Sequence, residues 1–447
     1  MKQLQFVVYL FILNSFLFTV NAQPYYKLPS IKDTAQFNKG IAHTAWLLTS
    51  SNKSHPNTVR ILVYGQSISE QNWWKDVKKF VENKFPLAHI IFINKAIGGF
   101  SSDRLKIMVE NDVVSFYPDL ILFHDYGNEA DYEKIIQVIR GRTTAEIAVQ
   151  TDHMAVQNQE WHDRHNEVWL PQIVKKYGLA LIDVRHAWKT YLQENKLNLK
   201  DLLIDGVHLN EHGNYLMAGI IKKYFETLST ALPVEPYTTI LIEDKRLNFK
   251  KKHLNIPVIG NRIDFVWKPN ARSDQPILVY LNQKKPSATT SCYYYTRPSL
   301  DTATFFLKKI GQLMAMKLTD KAREEDWMMT VTWTDSVQQQ IGFTLNGSLT
   351  GEDGNGSSDT VFISRSGKII IEPHFWFRAK EFANFPWLTT GDVLQWQVRS
   401  MCKDKVNPAS FVTTVIQGVE NRSHQLQLKG KAIRYLESIK VYAPPLQ

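Results

Sequence analysis

Three residues in the first half of the chain have side chains that together can carry out nucleophilic catalysis. Ser67, in the segment VYGQSISE, directly follows the apolar run 59–64 and a glycine. A serine hydroxyl is a poor nucleophile until a base takes its proton, and His208 is the candidate base because imidazole titrates near neutral pH. Asp205 stands three residues before His208 in DGVHLNEHG, where a carboxylate can fix the imidazole tautomer. These are the residue types that attack on an ester carbonyl requires.

Two further segments supply hydrogen-bond donors for the oxyanion that such an attack creates. NKAIGGFSS contains Gly98 and Gly99, and YGNEADY contains Asn128. The candidate donors are the backbone N–H groups of Ser67 and Gly99 and the side-chain amide of Asn128. Each donor of this kind is worth roughly 3 kcal/mol of barrier. Glycines at this point also allow a ligand to approach the backbone closely.

Each of these residues also has a purely structural interpretation. Ser67 can cap the helix that follows it, and Asn128 can cap a loop. Asp205 and His208 can be a turn aspartate and a surface histidine, and the paired glycines can form an ordinary turn. Four such segments in one order, each after an apolar run, favour the catalytic interpretation.

The elements that must position these residues form an alternation of short apolar runs and amphipathic stretches. TVRILVYG, AHIIFINKA, DLILFHDYG, AEIAVQTDH and LALIDVRH are typical of strands, and the stretches between them have apolar residues three or four positions apart. This alternation predicts an α/β fold, with three α/β/α layers around a mainly parallel five-stranded sheet. Ligands bind outside the carboxyl ends of such strands, which is where the candidate residues are expected.

In order and spacing, the four segments resemble blocks I, II, III and V of the SGNH hydrolases, also called the GDSL family, over residues 57–230. The resemblance implies a Ser67, His208, Asp205 triad on a flavodoxin-like sheet. It also favours Gly99 over Gly98 as oxyanion donor, because the family places that glycine five residues after an asparagine, here Asn94.

The sequence departs from the family pattern at two positions. Gln66 replaces the usual aspartate before the serine, and Tyr126 stands where glycine is frequent. Some carbohydrate esterases of the superfamily carry Gly-Gln-Ser, so Gln66 favours a sugar ester as substrate. Tyr126 affects how far Asn128 can reach toward an oxyanion.

Four residues are candidates for contacting substrate at the same rim. Gln66 precedes the serine, Asp152 and His153 end the fourth apolar run, and Trp73 heads the helix after Ser67, where an indole can stack on a sugar. Solvation of a strand end and packing on the sheet are the alternatives. No cluster of histidine, aspartate and glutamate in the sequence demands a metal, and no metal or other cofactor is expected.

The rest of the chain divides into several regions. Residues 1–22 have the layout of a secretory signal peptide, with one lysine, an apolar stretch and small residues before cleavage near Ala22. A membrane anchor is the alternative, but the stretch is short. We therefore expect a secreted or periplasmic protein without a membrane span after cleavage. A lead-in segment (23–56), the hydrolase domain (57–230), a proline-marked linker (231–235) and a mainly β domain (236–447), a sandwich or jelly roll, are expected to follow.

The net charge limits the classes of binding partner, and the cysteine content bears on a disulfide. The formal charge is +10, from 53 basic and 43 acidic residues, which suits an acidic polysaccharide or simply aids solubility. The basic residues are scattered and form no reading motif, which argues against nucleic acid. Cys292 and Cys402 are compatible with a disulfide in an exported protein. The oligomeric state is not indicated.

The sequence thus predicts an exported serine esterase that removes small acyl groups, acetyl in the first instance, from a carbohydrate. Three alternatives remain open at this point. A lipase or thioesterase would need an apolar acyl groove, and an acyltransferase would use the same triad with a sugar in place of water. A non-catalytic glycan-binding protein would carry an incomplete constellation. The β domain either binds glycan or supports the active-site rim, and its tryptophans are expected in its core.

Overall fold

The computed structural model describes residues 26–228, 236–243, 252–299, 313–377 and 388–446. The predicted signal peptide, its cleavage position and the predicted linker lie outside these residues. Within the described ranges, no helix has the length and apolar character that crossing a membrane would need.

Five parallel strands form a sheet in the first half of the chain. They are β1 (Thr58–Gly65), β2 (His89–Asn94), β3 (Leu120–His124), β4 (Glu146–Gln150) and β5 (Ala180–Ile182). Their order across the sheet is β2-β1-β3-β4-β5, and every neighbouring pair is parallel. The chain leaves β1 toward β2 and then returns to the other side of β1 with β3. The carboxyl ends of β1 and β3 therefore flank the switch point at which such sheets bind ligands.

Helices pack on both faces of this sheet, as the alternation predicted. Alternate residues of β1 contribute to two separate cores: Val59, Ile61 and Val63 to one, Leu62 and Tyr64 to the other. A strand buried on both faces must be apolar, which explains the run of apolar residues at positions 61–64. The α-helices of this half are α1 (Thr34–Gly40), α2 (Ala42–Ser50), α3 (Ser67–Glu70), α4 (Trp73–Lys84), α5 (Ser102–Val109), α6 (Glu129–Arg142), α7 (Gln159–Arg164), α8 (Leu170–Tyr177), α9 (Val184–Glu194) and α10 (Glu211–Glu226).

Gly65 allows the ends of β1 and β3 to approach each other. Its φ is +145°, and a Cβ at this position would lie 1.8 Å from the carbonyl oxygen of His124. No residue with a side chain fits there without moving the backbone. The glycine before the Gln66-Ser67 pair therefore brings the end of β1 against the end of β3.

The second half of the chain is mainly β, as predicted, and forms two packed pairs of antiparallel sheets rather than one. Its strands are β6 (Tyr237–Leu241), β7 (His253–Gly260), β8 (Arg262–Trp267), β9 (Ile277–Leu281), β10 (Tyr293–Tyr295), β11 (Lys317–Leu318), β12 (Glu325–Asp335), β13 (Gln340–Gly347), β14 (Gly351–Ser357), β15 (Phe362–Ile363), β16 (Ile369–Ile371), β17 (Val393–Ser400), β18 (Lys405–Val406), β19 (Thr413–Ile416), β20 (Arg422–Lys429) and β21 (Leu436–Tyr442).

Each pair of sheets encloses its own core. Sheets β18-β9-β20-β7 and β19-β8-β21-β6 share one, with Phe265 and Leu426 at its centre. Sheets β10-β17-β12-β13-β14 and β11-β16-β15 share the other, around Phe343 and Trp396. The second pair is inserted in the chain between β9 and β18. This insertion explains why the sequence, read in order, suggests one long β domain.

Most tryptophans of this half that the structure describes lie in these cores. Trp267, Trp327, Trp376 and Trp396 are buried, whereas 44 % of Trp333 is exposed. Trp387 lies outside the described residues. The buried rings support the expectation that these aromatics stabilise the β region rather than bind glycan.

Cys292 and Cys402 are neighbours in the β region, and their thiols are free in this structure. Contact with the Cys402 thiol, followed by burial, raises the pKa of the Cys292 thiol. The Cys402 thiol donates to the carbonyl oxygen of Gln417 at 3.4 Å. A disulfide between the two residues stays a prediction.

A buried ion pair joins the two halves of the chain. The Arg297 guanidinium, which follows β10, donates to both carboxylate oxygens of Asp112, at 2.8 and 2.7 Å. Asp112 lies in a π-helical turn, Glu110–Val114, that continues α5, and neither side chain exceeds 6 % exposure. The Asn111 amide donates to the carbonyl oxygen of Met314 at 2.7 Å. The π-helical turn thus presents two consecutive polar side chains to the β region.

We expect Arg297→Ala to destabilise the full chain strongly, because it leaves the Asp112 carboxylate buried without its partner. The expected loss in free energy of unfolding is about 3–5 kcal/mol, measured by urea denaturation. Arg365→Ala is the matched control, since its pair with Glu352 is exposed on both sides and is worth at most about 1 kcal/mol. Equal, small losses for the two variants would contradict the role given to the buried pair.

Candidate active site

Ser67 is the first residue of α3, two positions after the end of β1, and its single hydroxyl proton has two acceptors within reach. Oγ lies 3.0 Å from Nε2 of His208 and 2.7 Å from Oε1 of Gln66. The capping role that the sequence allowed for Ser67 belongs to Gln66, whose side chain accepts from the N–H of Ile68 at 3.2 Å. The Ser67 hydroxyl therefore does not cap the helix, and it lies between an amide oxygen and an imidazole.

A tight turn brings Asp205 and His208 together. Oδ2 of Asp205 lies 2.8 Å from Nδ1 of His208, and Oδ1 accepts from the N–H groups of Val207 and His208, both at 2.7 Å. A carboxylate acceptor places the ring proton on Nδ1 and leaves Nε2 free to accept from Ser67. Ser67, His208 and Asp205 thus form one continuous hydrogen-bonded chain.

Hydrogen bonds, not burial, set the ionisation of Asp205. The N–H of His208, its imidazole and then the N–H of Val207 lower the pKa of Asp205 to about 2. The side chains of His208 and Asp205 are 43 % and 55 % exposed. Since water screens a pair this exposed, the hydrogen bonds contribute orientation more than stability.

The amide of Gln71 joins the serine segment to the histidine segment. Its oxygen accepts from the N–H of Leu209 at 2.9 Å, and its nitrogen donates to the carbonyl oxygen of Leu209 at 2.8 Å. Asn214, on α10, accepts from the N–H of Trp73 at 3.1 Å. Leu209, the residue after His208, is thereby hydrogen-bonded to the segment that follows α3.

The two glycines in the loop after β2 have different hydrogen-bonding environments. The N–H of Gly98 donates to the Glu70 carboxylate at 2.8 Å, so it already has an acceptor. Gly99 is exposed with φ +78°, and its N–H has no acceptor among the described residues. Asn94 holds this loop near α3, because its amide donates to the carbonyl oxygen of Ser69 at 2.7 Å. Gly99 is the glycine whose N–H is left for a ligand.

Asn128 has a structural role that still leaves its amide nitrogen available. It is the N-cap of α6, where Oδ1 accepts from the N–H groups of Ala130 and Asp131 at 2.9 and 3.3 Å. Its Nδ2 has no acceptor among the described residues, and the residue is exposed. Ser102, at the start of α5, donates from its hydroxyl to the Asn128 carbonyl oxygen at 3.0 Å. The cap and the donor role are therefore compatible, since each uses a different atom.

The four residues predicted to contact substrate are placed otherwise than expected. Gln66, Asp152, His153 and Trp73 are all buried, at 4, 1, 0 and 1 % exposure. The indole of Trp73 donates to the carbonyl oxygen of Ile68 at 2.6 Å and belongs to the core beneath the sheet. Its ring faces no solvent on which a sugar could lie. The other three support the site from below.

Asp152 is the centre of a buried hydrogen-bond network that reaches Ser67. Its carboxylate accepts from Nε2 of His124 at 3.1 Å, from Nδ1 of His162 at 2.6 Å and from the amide of Asn166 at 2.8 Å. The Gln66 amide nitrogen lies 3.4 Å from Nδ1 of His124. Burial alone raises the pKa of Asp152, but the two imidazoles outweigh it and hold that pKa below its ordinary range. An ionised carboxylate thus orients His124 and, through it, Gln66.

His153 supports the catalytic turn from beneath. Its Nε2 donates to the carbonyl oxygen of Val207 at 2.7 Å. Burial, above all, lowers the pKa of His153 to about 4, so the ring is neutral at physiological pH. The N–H of Val156 donates to the carbonyl oxygen of Gly206 at 2.8 Å. The loop after β4 therefore binds two consecutive carbonyl groups of the turn. One signal in the sequence pointed to this loop, since Asp152 and His153 end a predicted strand.

The fold matches what the resemblance to the SGNH hydrolases implied, and the wider comparisons are distant. No family model and no curated protein matches the chain. A two-domain esterase active on acetylated mannans, co-crystallised with mannopentaose, is 13 % identical at a TM-score of 0.37, over 92 % of this chain and 99 % of that one. A catalytic mutant of an acetylxylan esterase from Geobacillus stearothermophilus is 18 % identical at 0.32, over 37 % of this chain and 93 % of that one.

An α/β hydrolase from the metagenome of Lake Arreo, Spain, is similarly distant. It is 17 % identical at a TM-score of 0.34, over 38 % of this chain and 96 % of that one. Scores of this size carry no argument about function.

We expect Gln71→Leu to loosen the turn 205–208, because it leaves the N–H of Leu209 without its acceptor and leaves the Leu209 carbonyl oxygen with only the longer bond from the Asn214 amide, at 3.3 Å. The expected loss in free energy of unfolding is about 1–3 kcal/mol, measured by chemical denaturation. Gln193→Leu, at an exposed position of α9, is the control and should change stability by at most about 0.5 kcal/mol. A Gln71 variant as stable as the control would show that the turn does not depend on this amide.

Proposed function

We propose that this protein is a serine esterase of the SGNH type that removes small acyl groups, acetyl in the first instance, from a carbohydrate. One observation carries the proposal. A serine, an imidazole and a carboxylate form a hydrogen-bonded chain of 3.0 and 2.8 Å at the carboxyl end of β1. Export, predicted from residues 1–22, is part of the proposal and rests on the sequence.

The chain of hydrogen bonds supports a two-step reaction. Nε2 of His208 takes the Ser67 proton while Oγ bonds to the ester carbonyl carbon, whose oxygen becomes an anion. The tetrahedral intermediate collapses, the sugar oxygen leaves with the proton from His208, and the acyl group stays on Ser67. Water then gives a proton to His208 and attacks the acyl-enzyme. The carboxylic acid departs and Ser67 recovers its proton.

Three donors suit the oxyanion in both steps. The N–H groups of Ser67 and Gly99 have no acceptor among the described residues, and neither does Nδ2 of Asn128. Preorganised donors of this type stabilise the transition state because they do not have to reorient during the reaction. Asp205, with a pKa of about 2, stays ionised at neutral pH and stabilises the imidazolium that accompanies the tetrahedral intermediate in each step.

The exposure of the site favours a hydrophilic, extended substrate. The side chains of His208 and Asp205 are about half exposed, so an ester on a solvated glycan can reach Ser67 without entering a deep tunnel. The formal charge of +10 suits glycans with acidic groups. Since every expected member of the triad is present and hydrogen-bonded, a non-catalytic binding role has less support.

We expect Ser67→Ala to abolish release of p-nitrophenol from p-nitrophenyl acetate, because no other group would form the acyl-enzyme. A fluorophosphonate probe should attach to the peptide that contains Ser67 in the wild-type chain and not in the variant, as mass spectrometry would detect. Ser54→Ala, at an exposed loop position, is the control and should keep both activity and labelling. Turnover retained by Ser67→Ala would end the proposal.

We expect Asn128→Asp to separate capping from catalysis. The carboxylate keeps the cap of α6 but removes the Nδ2 donor, so kcat should fall by about 10²–10³-fold with little change in unfolding temperature. Asn128→Ala should lose the same rate and, in addition, about 1 kcal/mol of stability with the cap. An aspartate variant with wild-type kcat would remove Asn128 from the oxyanion site.

A further inference from the structure

Beside the catalytic turn lies a cavity of about 640 Å³ that the reaction above does not use. Its walls include Trp161 and His162 from α7, Asn158 just before that helix, and Tyr126 after β3. An acetyl group fills a small fraction of this volume, whereas ligand pockets in proteins commonly span about 300–1,000 Å³. The cavity therefore has room for a larger part of a substrate than the acyl group.

The cavity borders two of the segments that carry the proposed active site. Val207, one residue before His208, lines it, as does Gly127, one residue before Asn128. The loop that forms the wall is bonded to the catalytic turn, because the N–H of Val156 donates to the Gly206 carbonyl oxygen at 2.8 Å. A group bound in the cavity would thus adjoin both the base and the proposed oxyanion donor.

Trp161 offers a rigid aromatic platform at this cavity. His165 stacks against one face of the indole, with ring centroids 4.8 Å apart and planes 12° apart, and Trp169 stacks on the other side of His165 at 4.8 Å. With one face covered in this way, the half-buried indole can present its opposite face to a ligand. A platform held from behind loses little conformational freedom on binding. The C–H bonds of a sugar ring suit the negative face of an aromatic ring.

His162 adds a fixed hydrogen-bond acceptor to the same cavity. Its Nδ1 donates to the Asp152 carboxylate at 2.6 Å, so Nε2 is the ring atom left for a ligand, and it is an acceptor when the ring carries one N–H. Nε2 has no partner among the described residues, and the side chain is 10 % exposed. The imidazole stands edge-on to Trp161, at 5.0 Å and 80°. A buried, oriented acceptor beside an aromatic face suits a polyhydroxylated ring better than an alkyl chain.

We propose that this cavity is a sugar subsite, in which Trp161 stacks on a neutral pyranose ring adjoining the acetylated one and Nε2 of His162 accepts from a ring hydroxyl. The subsite rests on the proposed function, since it assigns the substrate class of the same site. A fatty acyl chain is the competing occupant, and the experiment below is designed to detect it.

We expect Trp161→Ala to reduce kcat/KM on partially acetylated xylo-oligosaccharides by about tenfold to a hundredfold, mainly through KM. The loss on p-nitrophenyl acetate, which has no sugar, should be much smaller, so that the ratio of the two kcat/KM values falls. Trp161→Phe should recover most of that ratio. Trp333→Ala, an exposed tryptophan of the β region, should keep both values within about twofold of wild type.

Two results with these substrates would overturn the subsite. Equal losses on both would show that Trp161 only supports the catalytic turn, and no loss on either would show that the indole binds nothing.

A third substrate, p-nitrophenyl octanoate, tests the competing occupant. A larger loss on octanoate than on the oligosaccharide would identify an acyl site and contradict the proposal.

A binding measurement separates failure of the subsite from failure of the esterase assignment. Xylotetraose and mannotetraose, neither acetylated, are titrated into Ser67→Ala by calorimetry, and at least one should bind. Adding Trp161→Ala should weaken that binding by about tenfold or more. Binding that depends on Trp161 in a protein without esterase activity would leave the subsite standing and reject the esterase. Absence of binding by both tetrasaccharides would reject the subsite alone.

Discussion

The proposed chemistry depends on the shape of one turn, residues 205–208. This turn keeps the side chains of an aspartate and a histidine hydrogen-bonded to each other although both are exposed to water. Burial does not maintain this pairing, because both side chains are about half exposed. The turn is fixed instead by hydrogen bonds from several directions. The Asp205 carboxylate binds two of its N–H groups, the loop after β4 binds the carbonyl groups of Gly206 and Val207, and Gln71 binds the next residue. An exposed catalytic pair can then keep its geometry without the cost of desolvating its charges.

A second carboxylate, that of Asp152, differs from Asp205 in its environment. Asp152 is buried and ionised, and four hydrogen bonds involve its carboxylate and its N–H. One branch runs through His124 to Gln66 and ends at the Ser67 hydroxyl, while the other orients His162 at the cavity. A buried charge is costly unless fully paired, and a fully paired one fixes its neighbours rigidly. The same residue therefore positions the nucleophile and a wall of the proposed subsite.

Short-range signals predicted the sheet and the pairing of Asp205 with His208, whereas the meeting of His208 with Ser67, 141 residues away, was implied by the resemblance to the SGNH hydrolases. Continuous apolar runs indicate strands buried on both faces, and the Asp205 to His208 spacing defines a turn by itself. Burial at the rim could not be predicted in the same way. Trp73 looked available at a helix start, but its indole finds an acceptor in the Ile68 carbonyl oxygen and enters the core. Asp152 and His153 looked exposed at a strand end, but the chain that follows folds over them. The sequence predicted one β domain and not two sandwiches, because a long insertion separates β9 and β18, which are neighbours in one sheet.

The β region also contributes to the rim, through contacts that need no glycan. Phe377 packs against Phe100, with ring centroids 5.1 Å apart, and the Arg104 guanidinium lies 5.3 Å from the Phe377 ring. Arg104 donates to the carbonyl oxygen of Gly99 at 3.3 Å, so the aromatic contact reaches the loop whose N–H is proposed to meet the oxyanion. Gly99 has a positive φ that favours glycine, and the contact at its carbonyl oxygen helps to hold the peptide in one orientation. The buried ion pair of Arg297 and Asp112 anchors the same α5 segment from its other end. The second half of the chain is therefore a structural part of the site, and glycan binding by its buried tryptophans is not required to explain why the two halves are joined.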